Sequence, residues 1–563
     1  MLRGRSPQAI LDALTAGSMK YQGLALSGEE RRAIAEYLSG RKLRAALSGS
    51  TIGNCGPSTR LGTGRRPPPG DPRAAPLWNG WGPTIENTHF QPADQAGLTA
   101  EQVPRLHLKW AFGFPDATSA WAQPTIAAGR LYVGSQNGTV YSLDAASGCV
   151  VWTFAAQGGV RGSISIGRRG APGGRVAGYA AYFSDQKGYV YAVDAATGRQ
   201  LWTRKVDDHP LVRLTGSPAL YEDRLYVPTS SYEEGGRPPG YACCTFRGAL
   251  VALDARSGDV IWTSYTIAEE PRLLRVYADG TELRGPSGGA IWSAPTIDVK
   301  RGAIYVGVGN TYSGAAQPTT DAVLALDLKT GKLRWSRQMA PATPDVFGCT
   351  PGDVNCGERA GPDFDFGASP VLAKLRGGRD LIIAGQKSGV AYALDPDRKG
   401  EQIWRYRAGG GSGLGGIQWG IAVDSERVYI PVAEIYSPAP GGLHAVDLAT
   451  GGRVWYSPPE LPVCGKLNRS CSGAQFSAVT AIPGIVFSPS NDGAVRAHST
   501  ADGRVVWTFD TNREFPTING LRAKGGSMNG PAPVVAGGMV YVSSGYGVFG
   551  LRPGNVLLAF SPE

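Results

Sequence analysis

"ALDARSGDVIW", residues 252–262, holds the pattern on which the fold turns: apolar alternation ending in Asp, a Ser-Gly turn, and a returning run that ends in Trp. The Gly is free to take positive φ, so the chain can reverse between two strands. The Trp then offers a broad flat face to a neighbouring sheet. The unit recurs as "SLDAASGCVVW" (142–152), "AVDAATGRQLW" (192–202), "ALDLKTGKLRW" (325–335), "ALDPDRKGEQIW" (393–404) and "AVDLATGGRVW" (445–455). A decayed copy, "AHSTADGRVVW", occupies 497–507. With the motif-free "LHLKW" (106–110), the series places eight tryptophans: Trp110, Trp152, Trp202, Trp262, Trp335, Trp404, Trp455 and Trp507. Their spacing runs from 42 residues, Trp110 to Trp152, to 73, Trp262 to Trp335. That is near the roughly 40–50 residues of one propeller blade plus insertions. A single blade cannot bury both of its faces, so copies must stack in a ring. The expected fold is all-β, an eight-bladed β-propeller over residues 78–563. Trp110 near its start and "NVLLAFSPE" (555–563) at its end predict that the terminal segments pair within one blade and seal the ring.

Composition agrees. Charged residues make up 18% of the 563, and 80 Gly with 41 Pro signal many tight turns, as in a hairpin-rich β protein. No apolar run approaches the roughly 20 residues of a membrane-spanning helix, so no membrane span is expected. The net charge of +10 is spread along the chain rather than gathered into one block. That points away from nucleic acid and toward an acidic partner or an anionic cofactor.

Eight cysteines include the spaced pairs Cys349 with Cys356 and Cys464 with Cys471, besides the adjacent Cys243 and Cys244. The spaced pairs lack the companion His or second CxxC of a zinc site, which favours loop disulfides. Disulfides imply an oxidising compartment, most simply the periplasm. The partners of Cys55 and Cys149 are open at this level. The opening "MLRGRSPQAILDAL" has Asp12 where a signal peptide needs an apolar core, so the reading frame is expected to begin upstream.

Residues 1–42 read as two short helices, the first entered through Ser6 and Pro7, the second through Ser27 with Glu30. Residues 43–77, with "GRRPPPGDPR", form a basic Gly/Pro linker.

In a four-stranded meander the second strand ends on the face where the innermost strand begins, so residues at those places share one mouth of the channel. Second-strand ends are marked by Gln136, Glu233 and Glu234, Asn310 and Lys387; inner-strand starts by Gln123, Thr215, Trp292, Asp365, Trp419 and Asn529. Glu233 and Asn310 offer the hard oxygens that calcium prefers. Asp365 can serve as a base, Lys387 as a cation, and Trp292 as a platform for a flat ring. Each alone has an ordinary structural reading; the set does not.

The repeat D-x-x-[TS]-G-x-x-x-W resembles the tryptophan-docking motif of the pyrroloquinoline quinone (PQQ)-dependent alcohol dehydrogenases, and "WNGWGPTIENTHFQ" (78–91) is similar to the start of their propeller. The resemblance implies calcium ligands at Glu233, Asn310 and Asp365, with Asp365 also the catalytic base. It implies cofactor contacts at Thr215, Ser230, Trp292, Lys387 and Trp419, with Arg247 reaching a cofactor carboxylate. Cys243 and Cys244 would form a lid on the quinone or a brace for the Glu233 loop, and the choice between Glu233 and Glu234 stays open. "CCTFRG" after "SSYEEG" is similar to members that oxidise polyvinyl alcohol. Residues 1–42 resemble the C-terminal part of a cytochrome c domain, with Met19 on the axial methionine of heme c. The CxxCH that attaches heme is absent, so Met19 serves only if the parent protein completes the domain.

The expected activity is oxidation of secondary alcohol groups, in polyvinyl alcohol or a similar polyol, with cytochrome c as acceptor. The alternatives are a non-enzymatic propeller of the outer-membrane assembly type and a quinoprotein for a small alcohol or sugar.

Overall fold

The computed structural model describes residues 7–15, 19, 26, 28–41, 53–56 and 77–563, without 170–176, 236–240, 340–361, 436, 438–439 and 469. Each repeat builds one antiparallel four-stranded sheet. In blade 3 the strands Ala219–Tyr221, Arg224–Pro228, Ala249–Asp254 and Val260–Tyr265 pair in sequence order. The middle strands lie between neighbouring blades and are buried nearly throughout, which is why "ALVALD" reads as a continuous apolar run. The outermost strand, "VIWTSY", keeps one face in water and alternates. Blades 1 to 7 follow in order, with strands inside 125–155, 165–205, 219–265, 296–338, 371–407, 422–457 and 480–510. Blade 8 takes three strands from 534–561, and His107–Gly113 completes it by pairing with Val556–Ser561, Trp110 opposite Ala559. The eight blades and the closure expected from the sequence are both observed.

The motif explains itself in the turn. Asp254 Oδ1 accepts the backbone N–H of Arg256 at 2.8 Å and of Ser257 at 3.0 Å, and Gly258 N–H returns to the Asp254 carbonyl at 2.8 Å. Gly258 sits at φ 76°, and a Cβ there would lie 2.7 Å from the Trp202 ring. Trp202 of blade 2 therefore lies flat against the turn of blade 3, and its Nε1 donates to the Ala255 carbonyl at 3.0 Å. The same contact joins Trp110 to Gly148, Trp152 to Gly198, Trp262 to Gly331, Trp335 to Gly400, Trp404 to Gly451 and Trp455 to Gly503. Trp507 donates to the Leu106 carbonyl at 3.0 Å and carries the chain of contacts round to the start.

Ahead of the propeller lie α1 (Pro7–Thr15) and α2 (Gly28–Ser39), packed through Ile10, Leu11, Leu14 and Ala35 with Met19 half-buried beside them. Ser6 and Ser27, read as their entries, lie outside the described residues. Helix α2 rests on the mouth face of blades 1 and 2. Glu30 pairs with Lys187 at 2.8 Å, Arg32 with Asp116 at 3.4 Å, and Arg31 donates to the Gln136 carbonyl at 3.4 Å. Burial under the helix lowers the Arg31 guanidinium to about 10. Cys55 and Cys149 form a disulfide that ties linker residues 53–56 to the outer strand of blade 1, and Cys464 bonds Cys471. Cys349 and Cys356 lie outside the described residues. Among the described residues no helix is long and apolar enough to cross a membrane.

Replacing Gly258 with Ala should therefore be costly, because it adds left-handed strain and a clash with Trp202, together about 2–5 kcal/mol. Gly378, at φ 84° with nothing within 4 Å, is the control: Gly378→Ala carries the strain alone, about 1–2 kcal/mol. Urea unfolding of the two variants checks this; equal midpoints would show that the tryptophan contact contributes nothing.

Candidate active site

The two sets of strand ends converge. At the mouth opens a cavity of about 170 Å³, on the order of ten times what one ordered water needs. A second space of about 10 Å³, deeper in the channel beneath Trp292 and Trp419, has room for one water at most. Of the residues singled out in the sequence, Thr215, Ser230, Trp292, Asp365, Lys387 and Trp419 line the larger cavity, and Asn529 is there as well.

Asp365 is held on both oxygens. Its Oδ1 accepts the Asn310 backbone N–H at 2.8 Å; its Oδ2 accepts Trp292 Nε1 at 3.0 Å and Lys387 Nζ at 2.7 Å. Gly367, two residues on, makes this arrangement possible, since a Cβ there would stand 1.9 Å from the Trp292 ring. Lys387 is buried and also bonds both oxygens of Asp363 at 2.9 Å. Burial alone would pull its ammonium down; Asp363, Asp365 and Glu234 outweigh that and hold it above its usual range. Burial pushes the Asp363 carboxyl well up, the charge of Asp365 adds to this, and Lys387 opposes it. Trp292 stands edge-on to Trp419, ring centres 4.9 Å apart, and Lys387 Nζ lies 5.2 Å from its ring centre. Trp419 Nε1 donates to Asn529 Oδ1 at 2.6 Å.

Two charged cavity residues escaped the sequence reading. Asp363 precedes Asp365 by two positions. Arg161, in "GGVRGSISI", stacks over Trp419 at 4.5 Å and donates to the Tyr546 hydroxyl at 3.1 Å, so a cation faces the cavity. It stands just ahead of the inner strand Ser165–Arg168 of blade 2, where the inner-strand rule would have found it.

Four residues stand elsewhere than expected. Glu233 does not line the cavity: Tyr241 Oη and Thr245 N–H donate to its Oε1 at 3.0 and 2.7 Å, and Phe246 N–H to its Oε2 at 2.8 Å. The carboxylate at the cavity is Glu234, whose Oε1 accepts from Asn310 Nδ2 at 3.2 Å. Cys243 and Cys244 are bonded to each other and wholly buried, packed with Phe246, Ala290 and Tyr312 behind the cavity wall rather than exposed in it. Their backbone N–H groups bond the carbonyls of Glu282 and Arg284 at 3.1 and 3.0 Å. In place of a lid, they anchor the loop whose next two amides hold Glu233. Arg247 turns outward, over the Tyr265 ring at 4.0 Å and toward the carbonyl of Ala268 at 3.2 Å. Gln123 and Gln136 serve structure: Gln123 Oε1 accepts Ala532 N–H at 2.9 Å, and Gln136 Oε1 accepts Thr118 N–H at 2.7 Å.

With this geometry in view, comparison with known proteins is specific. Residues 78–409 match the family described as glucose/ethanol/alcohol dehydrogenase, beta-propeller domain, of the PQQ type. Residues 386–555 match the model of the outer membrane assembly factor BamB. A polyvinylalcohol dehydrogenase of a Pseudomonas species is 43% identical over 99% of this chain and 89% of its own length. That of Sphingopyxis sp. strain 113P3 is 40% identical over 98% and 88%. The solved quinohemoprotein alcohol dehydrogenase of Comamonas testosteroni shares the fold at a TM-score of 0.64 and 19% identity, covering 90% of this chain and 84% of that one. Full-length identity of this order, with the PQQ-type match over the first five blades, sets the scaffold alternative aside. The chain belongs to the PQQ-dependent alcohol dehydrogenases, in the branch of the polyvinylalcohol dehydrogenases, and is an oxidoreductase.

Proposed function

We propose that this protein oxidises secondary alcohol groups of polyvinyl alcohol or a similar hydrocarbon-backbone polyol, using PQQ and calcium at the cavity and passing electrons to a cytochrome c. The observation that carries this reading is Asp365, a carboxylate fixed by three donors at the edge of a cavity with room for a flat ligand.

The residues present fit both groups. Asp363 and Asp365 pair with one ammonium, Lys387, and Glu234 stands at the same cavity, a set of hard oxygens of the kind calcium prefers. Asn310 bridges Glu234 and Asp365, and its amide, turned over, would set its oxygen beside that of Glu234. Glu234, Asn310 and Asp365 would hold calcium, drawn from blades 3, 4 and 5. Trp292 would lie against the quinone ring, Thr215 and Ser230 would bond its edge, and Arg161 would meet one of its carboxylates. When bound, the quinone supplies a two-electron acceptor for hydride, and calcium the Lewis acid that polarises it.

The chain's own part is to place the alcohol and manage its proton. Asp365 Oδ2 takes the hydroxyl proton. Trp292 Nε1 and the Asn310 amide hold the carboxylate in one orientation, and Lys387 balances its charge. The wall of Trp419 and Tyr546 keeps bulk water from the carbinol carbon.

Residues 1–42 contain neither cysteine nor histidine, so Met19 and its neighbours do not by themselves fit a heme, and the acceptor would be a separate cytochrome c. Its docking face would include α2 at the mouth. The disulfides Cys55–Cys149 and Cys464–Cys471 support an oxidising compartment, the periplasm.

Asp365→Asn should lower turnover of a secondary alcohol by roughly a hundred- to ten-thousandfold while quinone still binds, read by quenching of tryptophan fluorescence. Retention of most activity would remove Asp365 from the chemistry.

The two glutamates should separate cleanly. Glu234→Gln should release calcium at lower chelator concentration with little change in melting temperature. Glu233→Gln should instead destabilise the fold by about 1.5–3 kcal/mol, the cost of weakening charge-assisted hydrogen bonds, and leave calcium retention nearly as it was. The opposite pattern would return the ligand role to Glu233.

A further inference from the structure

On the side of blades 6 to 8, beside Gln418, Trp419, Asn529 and Tyr546, the cavity is also lined by Leu414, Phe476, Val548 and Phe549, four side chains without a polar atom that form an apolar patch. They belong to one apolar cluster with Trp121, Tyr546 and Leu551, so the wall is continuous with the core. Two glycine-rich loops present Leu414, Val548 and Phe549, and both are braced. In "GGGSGLGG" (409–416), Glu434 Oε1 accepts the N–H of Gly411 at 2.7 Å and of Gly416 at 3.1 Å. Ser412 N–H bonds the Lys387 carbonyl at 3.2 Å, which ties Leu414 to the strand end that carries the ammonium. In the loop of 545–554, Gly547 N–H donates to Ser119 Oγ at 2.9 Å and Gly554 N–H to the Thr118 carbonyl at 3.0 Å. Phe549 is held at φ 55°, a left-handed conformation that a bulky residue adopts only where its surroundings impose it. Its ring stacks on Tyr546, centres 6.4 Å apart.

We propose that Leu414 and Phe549 determine specificity by forming an alkyl subsite that receives the carbon chain flanking the carbinol. The proposal rests on the dehydrogenase reading above and deepens it. A secondary alcohol carries carbon on both sides of the reacting atom, so one arm must lie against the wall when the hydroxyl meets Asp365. A sugar would press a hydroxyl against the same wall with nothing to accept or donate a hydrogen bond, and burying it so is unfavourable. The wall therefore selects a run of methylenes and discriminates against a polyhydroxylated chain.

The test compares kcat/KM for 4-heptanol with kcat/KM for 2-propanol in the protein loaded with quinone and calcium. In Phe549→Ala and in Leu414→Ala this ratio should fall about tenfold or more, the usual effect of losing apolar contact with a substrate chain. Phe549→Leu should recover most of it. Leu414 is buried and its variant can lose stability; Phe549 is only partly buried, so Phe549→Ala keeps the test decisive. Quinone binding, read by tryptophan fluorescence on the same proteins, reports whether the cofactor site has moved. A ratio within twofold of the unchanged protein in Phe549→Ala, with quinone bound, would overturn the alkyl subsite and leave the dehydrogenase reading intact. Failure of the unchanged, loaded protein to oxidise either alcohol would overturn that reading and the subsite with it.

Discussion

The contact between a tryptophan of one blade and the turn glycine of the next sets the position of everything else. It is tight enough to exclude a single methyl group, as the 2.7 Å approach at Gly258 shows, and each indole is fixed in rotation by its bond to a backbone carbonyl where one is made. The contacts form a ring, so no blade is terminal and angular slack has nowhere to accumulate. This matters because the site is assembled across blade boundaries. Asn310 meets Glu234 across 76 residues of chain, Trp292 meets Asp365 across 73, and Asn310 meets Asp365 across 55. A small change in the spacing of blades 3, 4 and 5 would open hydrogen bonds of 2.8 to 3.2 Å that no single sheet could restore.

The ring and its number of blades were legible because they rest on a local pattern that occurs seven times, surviving even where one copy has lost its Asp, with Trp110 as the eighth tryptophan. The rim was legible by a rule of strand ends, and that rule brought Thr215, Trp292, Asp365, Lys387 and Trp419 to one cavity. It failed where the strand ended. Ser230–Ser231 is the last paired stretch before Glu233 and Glu234, so the alternation that tells inward from outward no longer applies to them. What decides between the two is a pair of amides at Thr245 and Phe246, and backbone donors twelve and thirteen residues away leave no mark in side-chain identity. Arg247 was misread for a related reason: its neighbours in sequence lie near the site, but its side chain finds the carbonyls past the outer strand instead.

Charge explains why the lysine needs two aspartates. A buried ammonium is unfavourable without compensation, and one carboxylate at Asp365 would be committed to it as a structural ion pair. Both oxygens of Asp363 lie 2.9 Å from Nζ, so the ammonium has a second carboxylate partner besides Asp365. Asp365 keeps one short bond to Lys387 and shares its remaining capacity with Trp292 and Asn310. The arrangement spreads the bonds of a buried Asp365 carboxylate over three donors rather than committing it to Lys387 alone.

The rim is thus divided by blade, and the division is written in the lengths of the repeats. From Trp202 to Trp262, Trp335 and Trp404 the intervals are 60, 73 and 69 residues, against 42 to 52 for the other four. The added length lies in blades 3 to 5, which supply Glu234, Asn310, Asp363, Asp365 and Lys387. Blades 6 and 7 keep the short repeat and, with blade 8, supply the apolar wall. Blades 1 and 2, short as well, carry α2 through Asp116, Gln136 and Lys187. Elaborating only the blades that need polar side chains at the mouth preserves the tryptophan contacts everywhere, because those contacts sit on the outer turns, away from the strand ends where the insertions enter.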